Sequence, residues 1–180
     1  GEELGLWGSL DYATDVKDRD DRVLGVLNFD MIGFNDLSRR VELVANGPSR
    51  WLADLMVSAN DRYGIGLRVD VLQDDSARLS DHAPFWARGY DAILGIENYL
   101  PTDPSTPGVT DGLYRLNSQY HSVVDVPDSI NWELVKQTTQ LAVATLGQYG
   151  LDDGPPNLVV AAGDVSSGPN DNLRIRIGNA

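Results

Sequence analysis

The stretch Val23–Ile32, VLGVLNFDMI, narrows most what this chain can become. It is a nearly unbroken apolar run, rich in strand-forming side chains, with Asp30 close to its end. Polar and apolar residues do not alternate in it, so it does not read as a strand with one wet face. It reads as a buried central strand of a mostly parallel sheet, whose two faces must both be covered.

The rest of the chain supplies the covers. Ser49–Tyr63 follows Pro48 and sets Trp51, Leu52, Leu55, Met56 and Ala59 on one side, which predicts a helix. Gly5–Ala13 carries Leu6, Leu10 and Ala13 at helical spacing, after a strand end or loop at residues 1–3 and before a charged loop at Asp15–Arg22. Pro84–Arg88 reads as a short helix stopped by Gly89. Ser129–Tyr149 reads as a long amphipathic helix capped by Asn131, with Leu134, Leu141 and Val143 packing inward and Gly150 ending it. Further strands are expected at Val41–Ala45, Leu67–Leu72 and Ala92–Ile96. Asn98–Gln119, broken by Pro101, Pro104 and Pro107, reads as a long loop. Strands alternating with helices predict an α/β domain: a mixed, mostly parallel β-sheet flanked by helices.

At 180 residues the chain is long enough for one domain with a real core. It has no cysteine, which excludes disulfides, thiolate zinc sites and a cysteine nucleophile. Its net charge of −13 argues against nucleic acid and anionic membrane as partners, since both are polyanions. No apolar run reaches the ~18 residues of a membrane span. The acidity comes from 22 Asp against 5 Glu, and the cations are 12 Arg against 2 Lys. Two origins fit this balance: adaptation to high salt, or the drift of a GC-rich genome. Residue 1 is Gly and the chain opens inside a motif, so it reads as a piece of something longer.

Chemistry concentrates in three places. GEELGLWGS sets Glu2 and Glu3 side by side where an element meets a helix, NFDMIG sets Asp30 at the C-terminal end of a buried strand, and QYHSVVDVPDSIN sets Tyr120 and His121 in a loop before a helix. Sites in open α/β sheets gather at the carboxyl ends of strands. A Glu, an Asp and a His converging there form a donor set suited to Zn²⁺. Two successive Glu cannot easily both face one ion, so one can bind while its neighbour acts as base on an activated water.

Taken in order with SDHAPFWARGYDAI, these motifs resemble the catalytic domain of the M28 zinc aminopeptidases over residues 1–150. The resemblance implies a zinc-exopeptidase fold, present here as an incomplete domain, acting on peptides with a free N-terminus. It implies Glu2 as general base, Glu3 and His121 as ligands of one zinc, Asp30 as a ligand of a second, and Tyr120 as a hydrogen-bond donor to the substrate oxyanion. The intact catalytic domain would hold two zinc ions. His82 of SDHAPF would support the pocket wall or touch substrate, and it is not a ligand. Trp86, Tyr99 and the loop Pro101–Leu116 are candidates for a side-chain pocket. The family's two remaining ligands, a His and a bridging Asp, lie upstream of the Glu-Glu pair. Residues 1–180 are therefore expected to be inactive alone.

Beyond Leu151, LDDGPP reads as a linker, and NLVVAAGDV and NLRIRIGNA as two strands. This tail, residues 151–180, resembles the opening of an immunoglobulin-like β-sandwich module of the kind appended to secreted enzymes, which makes an extracellular location the expectation. An edge hairpin of the first domain is the alternative. For function, one alternative is a glutaminyl-cyclase-like zinc acyltransferase, in which a Trp stands where this chain has Tyr120. Another is a metal-free, peptidase-like binding domain.

Overall fold

The computed structural model describes residues 2–34, 39–99, 117, 119–151, 158–161 and 174–177. Its centre is a four-stranded sheet made of β1 (Val26–Asp30), β2 (Arg40–Ala45), β3 (Arg68–Gln73) and β4 (Ala92–Ile96). The order is β1-β4-β2-β3. β1 runs parallel to β4 and β2 parallel to β3, while β2 and β4 are antiparallel, so the sheet is mixed and mostly parallel. Asp30 lies beside Ile96 at the C-terminal ends of β1 and β4.

Side chains alternate across the sheet. Val41, Leu43, Ala45 and Ile93 point to one face, where Leu52, Ala53 and Met56 of α2 (Arg50–Arg62) and Leu134 and Leu141 of α4 (Trp132–Leu151) cover them. Val44, Ala92, Leu94 and Ile96 point to the other, against Ala13 and Val16 of α1 (Trp7–Asp18) and Phe85 and Trp86 of α3 (Ala83–Trp86). The result is three layers, helix on sheet on helix. At ~25 cal/mol per Å² of apolar surface, each fully buried Leu or Ile contributes about 1.5–3 kcal/mol to holding them together. Gly95 lets Phe29 of the neighbouring strand lie over it: a Cβ there would meet the Phe29 ring at 2.6 Å. Asn60 closes the turn from α2 to β3 by pairing with both backbone groups of Leu67, at 3.0 and 3.2 Å.

Four expectations need correction. The apolar run around β1 forms the edge strand of the four-stranded sheet, with every residue half-buried. Apolar content measures what a strand can bury, and its place in the sheet decides how much it does. The first helix extends to Asp18, through the stretch expected as a loop, because Val16, one turn after Ala13, is buried against the α3 layer. Arg19 pairs with Asp15 at 3.0 Å and supports that last turn. Residues 2–4 form a 3-10 turn. Val143 faces solvent, 64 % exposed.

α4 has the expected cap, Asn131 Oδ1 accepting the Leu134 N–H at 3.2 Å, but it begins at Trp132, after a 3-10 turn at Pro127–Ser129, and runs through Gly150 to Leu151. Most of the expected loop, residues 100–116 and 118, lies outside the described residues. In the tail, β5 (Leu158–Ala161) and β6 (Arg174–Ile177) pair antiparallel as a separate two-stranded sheet. Among the described residues no helix is long and apolar enough to cross a membrane.

Candidate active site

Three chain turns meet at the C-terminal ends of β1 and β4. The first is the 3-10 turn Glu2–Leu4. The Glu2 carbonyl accepts the N–H groups of Gly5 and Leu6 at 3.0 and 2.9 Å, which closes it tightly. Gly5 and Leu6 exit it with φ of +111° and +60°. The second follows β1. Met31 has φ of +51°, so the chain turns sharply just after Asp30. The Glu97 N–H holds the Met31 carbonyl at 3.1 Å, and its buried carboxylate takes the Phe34 N–H at 2.8–2.9 Å. The third is the loop before α4, where His121 has φ of +53°.

These turns bring distant side chains together. His121 Nε2–H donates to Glu3 Oε1 at 2.8 Å, a contact between residues 118 positions apart. The Tyr120 ring stacks on His121, with centroids 3.8 Å apart and planes at 20°. Asp30 Oδ2 accepts the buried Ser80 hydroxyl at 2.7 Å, and that hydroxyl in turn accepts from Asn28 at 2.9 Å. Burial, followed by the charges of Glu3, Asp30 and Asp81, pushes the Glu2 carboxyl above the ordinary glutamate range, while His121 pulls the other way. A carboxylate that holds its proton more tightly is a better base.

Zinc takes imidazole nitrogen and carboxylate oxygen as ligands, and catalytic sites supply three protein donors. Glu3 and His121 present one donor of each kind at contact distance, so their chemistry fits the ion. Among the described residues no group of three or more His, Asp or Glu side chains closes around one point. Asp30 stands apart, held by Ser80.

His82 has no exposed surface. Its Nε2 contacts the Ala77 carbonyl at 2.8 Å, and its ring meets Trp86 edge-on at 4.4 Å. Burial holds its basicity below the ordinary range. Those contacts hold it inside the fold. Trp86 is buried too, its indole N–H bonded to the Ala92 carbonyl at 2.9 Å. The Tyr99 hydroxyl donates to Asp74 at 2.7 Å, and its backbone N–H to the buried Glu42. Of the proposed pocket, Trp86 is thus a core residue and Tyr99 is half-buried. The rest of that proposed pocket, Pro101–Leu116, lies outside the described residues. Sequence reasoning missed Ser80 and Asn28 as the holders of Asp30. The available signal was SDH, whose Ser had no assigned task.

Comparison with known proteins gives the arrangement a context. The model of Peptidase family M28 matches residues 1–146. Among solved structures, the LapA aminopeptidase of Legionella pneumophila is 25 % identical, with a TM-score of 0.60 over 81 % of this chain and 36 % of its own. BSAP, a zinc aminopeptidase from Bacillus subtilis, is 25 % identical, with a TM-score of 0.64 over 82 % of this chain and 34 % of its own. A glutaminyl cyclase from an Acidobacteriales bacterium is 21 % identical, with a TM-score of 0.54 over 78 % of this chain and 44 % of its own, a likeness of fold alone. A comparison with curated protein sequences finds no match. The chain spans about a third of the length of the aminopeptidases it resembles. A family model that runs from the Glu-Glu turn through most of α4 takes in the whole sheet and all three turns at its rim, and on that match the chain belongs to peptidase family M28.

Proposed function

We propose that the protein is a zinc-dependent aminopeptidase, with residues 1–150 the C-terminal part of its catalytic domain and residues 151–180 a linker and the start of a β-rich module. The observation that carries this is the meeting of Glu3 with His121 beside a Glu2 of raised proton affinity. The zinc aminopeptidase neighbours support the metal. Glu3, His121 and Asp30 would hold it, two ions per intact domain, with further donors completing each site. Bound zinc supplies Lewis acidity that activates water and polarises the scissile carbonyl.

The chain's own residues do the rest. Glu2 takes the proton of the attacking water and returns it to the departing amine. Tyr120 donates a hydrogen bond to the oxygen on which negative charge develops. The acidic rim attracts the ammonium group of a free N-terminus, which favours exopeptidase over endopeptidase action. A cyclase reading gains nothing here, since the residue before His121 is Tyr120.

Glu2→Gln keeps the shape and loses the base. We expect turnover of an aminoacyl-anilide by the intact enzyme to fall by about 10²–10⁴-fold, with metal content retained. Activity near wild type would overturn the assignment. With two donors meeting where a catalytic zinc takes three, residues 1–180 alone should bind zinc weakly and cleave nothing. Calorimetric titration showing two tightly held ions per chain would contradict this.

A further inference from the structure

The segment after β3 carries three consecutive polar residues; two reach other elements and the third pins the segment to itself. Ser80 holds Asp30 on β1 at 2.7 Å, and His82 is pinned to the Ala77 carbonyl at 2.8 Å. Asp81, between them, accepts the hydroxyl of Ser9 at 2.6 Å, across 72 positions of sequence. Ser9 lies in the first turn of α1, directly after the Glu2–Leu4 turn. The residue at the α1 N-cap position is Leu6, whose side chain has no oxygen to offer the free N–H groups there. Asp81 therefore ties down, through the Ser9 hydroxyl, a helix end that has no side-chain cap of its own.

We propose that Asp81 is a positioning residue: through Ser9 it fixes the start of α1, and so the adjoining turn that carries Glu2 and Glu3. Two adjacent residues of one rigid turn thus hold the two halves of the site, Ser80 the Asp30 half and Asp81 the Glu2–Glu3 half. The distance between the halves is set by one peptide unit, in place of two independent loops. The claim rests on the reading of Glu2, Glu3 and Asp30 as the working carboxylates, but its test does not depend on activity.

The experiment uses the 180-residue chain and two probes. Hydrogen exchange followed by mass spectrometry reports the amides of residues 5–10. The imidazole resonances of His121 report its contact with Glu3. Asp81→Ala and Ser9→Ala should each speed exchange at residues 5–10 by about tenfold, the effect of losing one cap, and shift the His121 resonances. Exchange in β2 and β4 should stay put. Asp81→Asn retains an acceptor oxygen and should restore exchange to within about twofold of wild type. Unchanged exchange in both alanine variants would overturn the proposal. So would equal loosening of β2 and β4, which marks general destabilisation, or a failure of Asp81→Asn to rescue. A peptidase assay on the intact enzyme tests the functional reading separately.

Discussion

Two groups of charges sit on the same sheet and are built in opposite ways. Arg40 and Glu42, neighbours on one face of β2, are buried; they pair with each other, and Arg40 Nε also meets Asp70 of β3 at 2.7 Å. At the rim, Glu2, Glu3, Asp30 and Asp81 gather with one imidazole, His121, among them. The first group pairs opposite charges with each other, and Glu42 also anchors the Tyr99 N–H. The second leaves negative charge uncompensated, which costs stability and is tolerated where chemistry uses it. The contrast separates charges that hold the fold from charges that serve the reaction.

The largest test of that contrast removes one partner from the buried pair. Arg40→Met strands the Glu42 carboxylate inside the protein and should cost about 3–5 kcal/mol of folding stability. The double variant Arg40→Met/Glu42→Leu should recover most of it, because no fully buried charge is left unpaired and half-buried Asp70 keeps Arg68 at 3.6 Å. Urea unfolding of both variants checks this. Equal losses would mean that the pair holds the fold by its shape and not by charge.

At the rim, Tyr120→Phe should leave stability unchanged and lower kcat of the intact enzyme by about 10²–10³-fold, with little effect on KM, as for a donor that acts in the transition state. A change confined to KM would make Tyr120 a contact to bound substrate only.

The smallest effect concerns Asp74, which accepts from Ser76 and Tyr99. Those bonds hold its carboxyl below the ordinary aspartate range. The folded state therefore binds this proton less readily than the unfolded chain. The stabilisation is fully present above about pH 4 and is lost as pH falls through the depressed native value. Asp74→Asn should flatten the acid limb of the stability curve in that window, by lowering stability at neutral pH by about the amount that the wild type loses in acid. An identical acid limb would show that the bonds do not discriminate between charged and neutral Asp74.

What the sequence revealed follows the range of the interactions. β4 was legible as Ala92–Ile96 because an apolar run bounded by turn residues is a local signal, and so was the Asn131 cap of α4. The position of β1 was not legible, since neighbours in a sheet are chosen by the whole fold. Arg40 and Glu42 look like surface residues in an alternating strand, and only the layer packed over them makes them buried. Glu2, Glu3, Asp30, Tyr120 and His121 were found through their motifs. Ser80, which holds Asp30, lies 50 positions from it, and the Ser9–Asp81 contact spans 72, pairings that no local pattern announces.

The left-handed backbone at Leu6 and Met31 has a consequence for engineering. A non-glycine residue in that conformation costs about 1–2 kcal/mol; Met31 follows Asp30 directly, and Leu6 comes three residues after Glu3. Glycine at either position would relieve the strain in the folded state and enlarge the freedom of the unfolded chain. Breeding the protein for heat resistance and breeding it for turnover would then draw on different alleles at these two codons. The first would accept glycine wherever relief outweighs the added freedom, and the second would keep the bulky side chains that prevent the turns from wandering.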